Sequence, residues 1–177
     1  QIERGGPVSL TDVGMTRFVM TVDDAAKLVL EAANLAQGGE VFVTKMPIAR
    51  IEDLAQVMIE EFAPVYGHDP ASIKVDVVGA RTGEKLYEEL MNEEEVRRTV
   101  ELDKHFVILP AFSYLYRQQD TYDERAIGNV TQAYNSSASV SMSRDDLRSY
   151  LGASGLLDPV ATPWLPSMQR DGGDQPA

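Results

Sequence analysis

The chain has 177 residues, 44% of them hydrophobic and 25% charged, with 16 basic against 28 acidic side chains for a net charge of −12. That is about one domain of ordinary globular composition, long enough to bury roughly two thirds of its unfolded surface, which excludes a wholly disordered or fibrous chain. With no cysteine, disulfides, thiolate zinc sites and iron–sulfur clusters are excluded, and a field this negative argues against nucleic acid or anionic lipid as a partner.

Residues 1–20 lack the basic-then-apolar layout of a signal peptide, and no stretch approaches the roughly 18 uncharged apolar residues of a membrane span. A soluble, cytoplasmic protein is expected. The chain opens at Gln1 rather than Met, which leads us to expect a piece of something longer. Over residues 21–37, Val22, Ala25, Ala26, Val29, Ala32, Ala33 and Ala36 repeat at helical spacing, with Thr21 as cap, Asp24 three residues on, and Gly38-Gly39 as the stop. Residues 40–45 read as a short strand ended by Pro47. A second helical face follows at Ile51, Leu54, Ala55, Met58, Ile59 and Phe62, terminated by Pro64 and Gly67.

Residues 73–78 alternate as a strand, and after Gly79 the spacing predicts a helix over about 84–91 that turns Leu86, Leu90 and Met91 inward. The pattern then loosens into the acidic run Glu93-Glu94-Glu95, followed by a strand over His105–Leu109 closed by Pro110. Residues 111–142 are ambiguous. They hold Tyr114, Tyr116, Tyr122 and Tyr134 and a serine-rich stretch from Asn135 to Ser143, and read as a surface excursion. Ser143 to Asp146 resembles a capping box opening a helix through about Leu151, with Gly152 as its stop. From Asp158 on, prolines and glycines predict a disordered tail.

No self-contained catalytic signature is present: no Gly-x-Gly-x-x-Gly after a strand, no Gly-x-x-x-x-Gly-Lys, no Gly-x-Ser-x-Gly and no His-Glu-x-x-His. No residue is assigned a catalytic role. Two histidines, His68 and His105, do not make a metal site, and both read as ordinary loop or strand residues. Two basic motifs remain. In Gly79-Ala-Arg-Thr-Gly-Glu-Lys85, a helix start with free N–H groups, glycines that admit close approach and the Arg81 fork together make a place for phosphate, while Glu84 can accept hydrogen bonds from sugar hydroxyls. The plainer alternative pairs Arg81 with a neighbouring carboxylate, leaves Gly83 to shape the turn, and puts Glu84 near a helix start for the dipole. In Met15-Thr-Arg-Phe18, Arg17 can meet a phosphate or simply lay its stem over Phe18.

Taken together, Gly5-Gly-Pro-Val-Ser-Leu-Thr-Asp12, Met15-Thr-Arg-Phe-Val-Met20, Ala25-Ala-Lys-Leu-Val-Leu30, Gly38-Gly-Glu-Val-Phe-Val43, Ile51-Glu-Asp-Leu-Ala55 and Gly79 to Leu90 resemble the C-terminal half of the polysaccharide-biosynthesis nucleotide-sugar dehydratases. These are UDP-N-acetylglucosamine 4,6-dehydratases and epimerising relatives of the extended short-chain dehydrogenase/reductase superfamily. The resemblance implies a small α/β lobe, α+β-like in character, that binds a UDP-sugar. A Rossmann half carrying NAD(P) and the tyrosine–lysine pair is absent from this chain, so no cofactor is expected on it. By motif, Arg17 and Arg81 correspond to the family's diphosphate arginines and Glu84 to the residue that meets the uridine ribose, with Gly83 beside it. For the intact enzyme the resemblance implies oxidation at C4 of the sugar, loss of water across C5 and C6, return of hydride, and an oligomeric state; the fragment alone is expected to be inactive. Residues 1–110 would form the nucleotide-sugar-binding lobe, 111–157 an extension with one short helix, and 158–177 the tail. A free-standing nucleotide-sugar binding module and an acidic interaction domain are the competing readings.

Overall fold

Capping fixes where the first long helix begins. In the computed structural model, which describes residues 1–112, 122 and 124–158, the Thr21 hydroxyl accepts from the Asp24 N–H and the Asp24 carboxylate accepts from the Thr21 N–H, opening helix α1 at Val22–Leu35 as the spacing predicts. Helix α2 (Ile51–Phe62) also lies where its periodicity puts it, burying Val57, Ile59 and Phe62. A four-residue helix, α3 (Glu93–Val96), occupies the acidic run: Asn92 caps it, and Glu95 returns to the Asn92 N–H. Helix α4 (Arg144–Ala153) opens on the Ser143–Asp146 box, with Gly152 inside its last turn rather than stopping it. Tyr114, Tyr116 and the tail beyond Asp158 lie outside the described residues.

Among the described residues, ten short strands accompany the helices: β1 (Val8–Leu10), β2 (Thr16–Phe18), β3 (Val41–Thr44), β4 (Ile48–Arg50), β5 (Val75–Val77), β6 (Glu89–Met91), β7 (Thr99–Glu101), β8 (His105–Ile108), β9 (Gly128–Asn129) and β10 (Tyr134–Asn135). The result is a mixed α/β lobe. Its largest sheet runs β3-β8-β7-β9 with antiparallel neighbours, while β1 pairs parallel with β5, β2 antiparallel with β4, and β10 antiparallel with β6. Alternation along β3 and β8 gives the large sheet two apolar faces: Val107 joins Leu102, Leu109 and Tyr122 on one, and Val43 and Ile108 join Met91 on the other. A third cluster ties β4, α2 and α4 through Ala49, Val57 and Leu147. Several described residues past 110 are therefore packed into the lobe: β9 extends the large sheet, β10 holds β6, and Tyr122 and Leu147 are each 1% exposed.

The helix expected over 84–91 does not form. Residues 84–88 are loop, 89–91 are strand β6, and of the three apolar residues only Met91 is buried, Leu86 and Leu90 being exposed. A helix there would need the Lys85 and Leu86 carbonyls for its own ladder. The Arg17 guanidinium takes both, and Ser136 takes the N–H and the carbonyl of Glu88, so tertiary partners outbid local spacing. Helix α1 departs from expectation differently. Its position matches, yet none of its residues is buried, and Val22, Val29 and Leu30 stand 86%, 66% and 66% exposed.

Candidate functional site

Arg17 sits in the middle of β2, opposite Ala49 of β4. Its side chain turns toward the loop between β5 and β6. Nη2 donates to the Lys85 carbonyl at 2.7 Å, Nη1 donates to the carbonyls of Thr16 at 2.7 Å and Leu86 at 3.3 Å, and Nε lies 3.5 Å from the Glu88 carboxylate. A guanidinium owns five N–H groups: three here are hydrogen-bonded, the Nε–H faces Glu88 as an ion pair, and one Nη2 hydrogen is left. The alternative of a solvated cation whose stem simply covers Phe18 does not describe it: Arg17 is a clamp.

What it clamps is the segment that carries the other three candidates. Arg81 and Glu84 close a turn on each other, the Glu84 N–H donating to the Arg81 carbonyl at 3.0 Å and the Arg81 N–H to Glu84 Oε2 at 3.2 Å. Thr11, just past β1, donates its hydroxyl to Glu84 Oε1 at 3.2 Å. Gly83 lies at φ +86°, and a Cβ there would meet nothing within 4 Å, so backbone conformation rather than crowding calls for glycine. The N–H groups of a helix start, expected as anion donors, are missing because the helix is missing, and the Arg81 N–H is already spent on Glu84. Arg81 itself is exposed, and its guanidinium has no ion pair or hydrogen bond among the described residues.

The arrangement therefore brings Arg17 and the Arg81–Glu84 turn onto one loop, held by β2 on one side and Thr11 on the other. Two carboxylates of the same loop are engaged: Glu84 with Thr11 and the Arg81 backbone, Glu88 with Arg17. An exposed, uncompensated guanidinium fork beside carboxylate oxygens with spare lone pairs can bind a phosphate and an adjacent hydroxyl. Thr11 and Glu88 carry no signal of their own in the sequence, although both fall inside the quoted blocks. A separate cavity of about 660 Å³, lined by Ile2, Leu10, Leu54, Met58, Phe62 and Leu156 among others, lies between β1, α2 and the end of α4. It is apolar and contains none of the four candidates, so it is not the anion site.

Burial holds His105 below its ordinary 6.5, with Lys104 and Lys45 adding to the effect and Glu31 opposing it. Burial pushes the Tyr122 hydroxyl up, reinforced by its bond to Glu40. Among the described residues no group of three or more histidine or acidic side chains could hold a metal ion, and no helix is long and apolar enough to cross a membrane.

A small mixed α/β lobe with an exposed arginine loop is the class that fold and site define. Residues 1–110 match the family described as polysaccharide biosynthesis protein, and the chain belongs to that family. It is 54% identical over 110 residues to an uncharacterized membrane protein of Methanocaldococcus jannaschii, covering 62% of this chain and 33% of that protein. It is 30% identical to a Campylobacter jejuni UDP-N-acetylglucosamine 4,6-dehydratase (inverting), covering 78% of this chain and 38% of that enzyme. Among solved structures, that of Pen from Bacillus thuringiensis superposes with a TM-score of 0.70 at 34% identity, covering 84% of this chain and 41% of that one. The chain thus spans well under half the length of each. The resemblance to the extended short-chain dehydrogenase/reductase enzymes of polysaccharide biosynthesis holds, and relatives include dehydratases and epimerases.

Proposed function

We propose that this chain grips the UDP portion of a nucleotide sugar on behalf of a 4,6-dehydratase or epimerase of surface-polysaccharide synthesis. The observation that carries the reading is the exposed Arg81 guanidinium, without an ion pair among the described residues, on a loop clamped by Arg17. Arg4, Arg97 and Arg125 also lack an ion pair among the described residues; what sets Arg81 apart is the loop that carries it, pinned by Arg17 and Thr11. Arg81 would take the diphosphate directly. Arg17 would fix the loop and offer its one remaining N–H, and Glu84 would accept from the ribose with the lone pairs left after Thr11 and the Arg81 N–H. Relatives named for activity on UDP-N-acetylglucosamine and UDP-glucose support the ligand class.

The NAD(P) chemistry would be supplied outside the described residues. Their one parallel pair, β1 with β5, leads into the loop of residues 78–88 and then β6, not through a glycine-rich turn into a helix, and so does not fit a dinucleotide. In this reading the protein works in the cytoplasm, as an oligomer in its intact form, and the isolated chain binds without turning over. Titration calorimetry with UDP tests it: UDP should bind, Arg81→Ala should raise its dissociation constant about tenfold, and Glu84→Gln should weaken UDP while leaving pyrophosphate nearly unaffected. UDP binding that ignores both substitutions would sink the assignment.

A further inference from the structure

Ser136 belongs to a serine-rich stretch that reads as surface, yet it is 1% exposed. Its hydroxyl is saturated. It donates to the Thr16 carbonyl at 3.2 Å, accepts from the Glu88 N–H at 3.0 Å, and has the Thr16 hydroxyl at 2.9 Å, which uses the one donor and two acceptor positions that a hydroxyl owns. Its own N–H donates to the Glu88 carbonyl at 2.8 Å. A register shift between Tyr134 and Asn135, the kind of irregularity that redirects side chains, precedes it, and Asn135 Oδ1 then accepts from Ser137 and Ala138 to turn the chain away.

The two segments that Ser136 joins are the two from which the arginine loop hangs. The Thr16 carbonyl that takes the serine proton also takes Arg17 Nη1 at 2.7 Å, and Arg17 Nε faces the Glu88 carboxylate at 3.5 Å. The bonds close into a ring: Ser136 to Thr16, Thr16 to Arg17, Arg17 to Glu88, and Glu88 back to Ser136. We propose that Ser136 is a positioning residue of the nucleotide-sugar site, locking the backbone of residues 85–88 against β2 so that Arg81 and Glu84 are presented at a fixed place. The site is then completed by a segment beyond the 110 residues that the family match covers. This rests on the UDP-sugar reading above.

The test is a double-substitution cycle read by UDP titration calorimetry on the full chain, with thermal unfolding followed alongside. At a temperature where every variant is folded, Ser136→Ala should weaken UDP about tenfold and Ser136→Cys, which keeps the shape with a poorer donor, by about threefold. Arg81→Ala should cost about tenfold in the parent but threefold or less in the Ser136→Ala background, because a loop that is no longer held does not deliver the guanidinium. A residue that only supports the fold would leave the two effects multiplying to about a hundredfold, and that result overturns the proposal, as does Ser136→Ala binding UDP like the parent while Arg81→Ala does not. Should Ser136→Ala fail to fold, Thr16→Val strips one of the three hydrogen bonds of the Ser136 hydroxyl while keeping the shape of residue 16 and its carbonyl. The same non-additivity with Arg81→Ala supports the proposal, and additivity overturns it. No UDP binding by the parent, or none lost in Arg81→Ala, refutes the site reading itself and the inference with it.

Discussion

Arg17 and Arg81 should fail in different ways. Arg17→Ala removes three hydrogen bonds to carbonyls, of which those to Lys85 and Leu86 lie in exposed surroundings and that to Thr16 is partly buried. At about 0.5–1 kcal/mol for each net bond, the loss is about 2 kcal/mol of folding stability, and the 85–88 backbone is released with it. Arg81→Ala removes no such contact, so its stability should stay within about 0.5 kcal/mol of the parent. Both should weaken UDP about tenfold or more, since 1.4 kcal/mol is one decade and a hydrogen bond to a charged group lies at or above that. Arg17→Lys sharpens the comparison, because a compact ammonium cannot bridge three carbonyls as a planar fork does, and about 1 kcal/mol should be lost although the charge is kept. Urea unfolding at constant m-value, paired with UDP titration, reads both quantities. Equal stability losses in Arg17→Ala and Arg81→Ala, or an Arg17→Lys variant indistinguishable from the parent, would refute the clamp.

Leu30→Glu, at a position 66% exposed on α1, should leave stability nearly unchanged while reducing self-association and apolar-dye binding; unchanged dye binding would mean that the α1 stripe is not a sticky surface. Leu147→Ala should cost about 3 kcal/mol in urea unfolding, because its side chain is 1% exposed between α4 and α2, and a loss under 1 kcal/mol would mean that α4 is only loosely attached. Burial lowers His105 in the folded state, so the unfolded chain binds more protons just below pH 6.5. This contribution is full above that pH and is lost as pH falls toward the folded value. Thermal midpoints should therefore drop more steeply from pH 7 to 5 in the parent than in His105→Asn, and parallel slopes would contradict it. Incubated with UDP-N-acetylglucosamine and NADP, the chain alone should yield no 4-keto sugar by alkaline absorbance, and a signal would place chemistry within it.

What the sequence makes legible follows the range of the forces involved. α1, α2 and α4 are set by capping pairs and periodicity within a dozen residues, and all three stand within a residue or two of their expected spans. β1, β2, β4 and β7 are three residues each, too short for alternation to register, and exist because a distant partner accepts their hydrogen bonds. The failed helix at 84–91 is the informative case. Leu86, Leu90 and Met91 have helical spacing, but Arg17, far off in the sequence, claims the carbonyls that the helix needs. The same long reach governs the site: the sequence marks Arg17, Arg81, Gly83 and Glu84 as residues of interest, while the bonds through Thr11, Glu88 and Ser136 that set their geometry depend on contacts no local pattern encodes.

That geometry also answers how an acidic chain can offer a place to an anion. At long range a charge of −12 repels phosphate, but beyond a Debye length of about 8–10 Å the repulsion is screened, and the outcome is decided by the nearest few side chains. Several arginines of this lobe are met by carboxylates: Arg148 by Glu60, Glu61 and Asp145, Arg144 by Asp53, Arg50 by Glu52. On the loop that carries Arg81, two acids are engaged, Glu84 with Thr11 and Glu88 with Arg17. A clamp that binds backbone on one side and carboxylate on the other thus does two things at once: it fixes the loop, and it engages one of the loop's own acids. On this argument Glu88→Gln, which removes the competing charge while keeping an acceptor for Arg17 Nε, should tighten UDP slightly. Weakened binding in Glu88→Gln would instead mean that the carboxylate charge itself is needed to hold Arg17 in place.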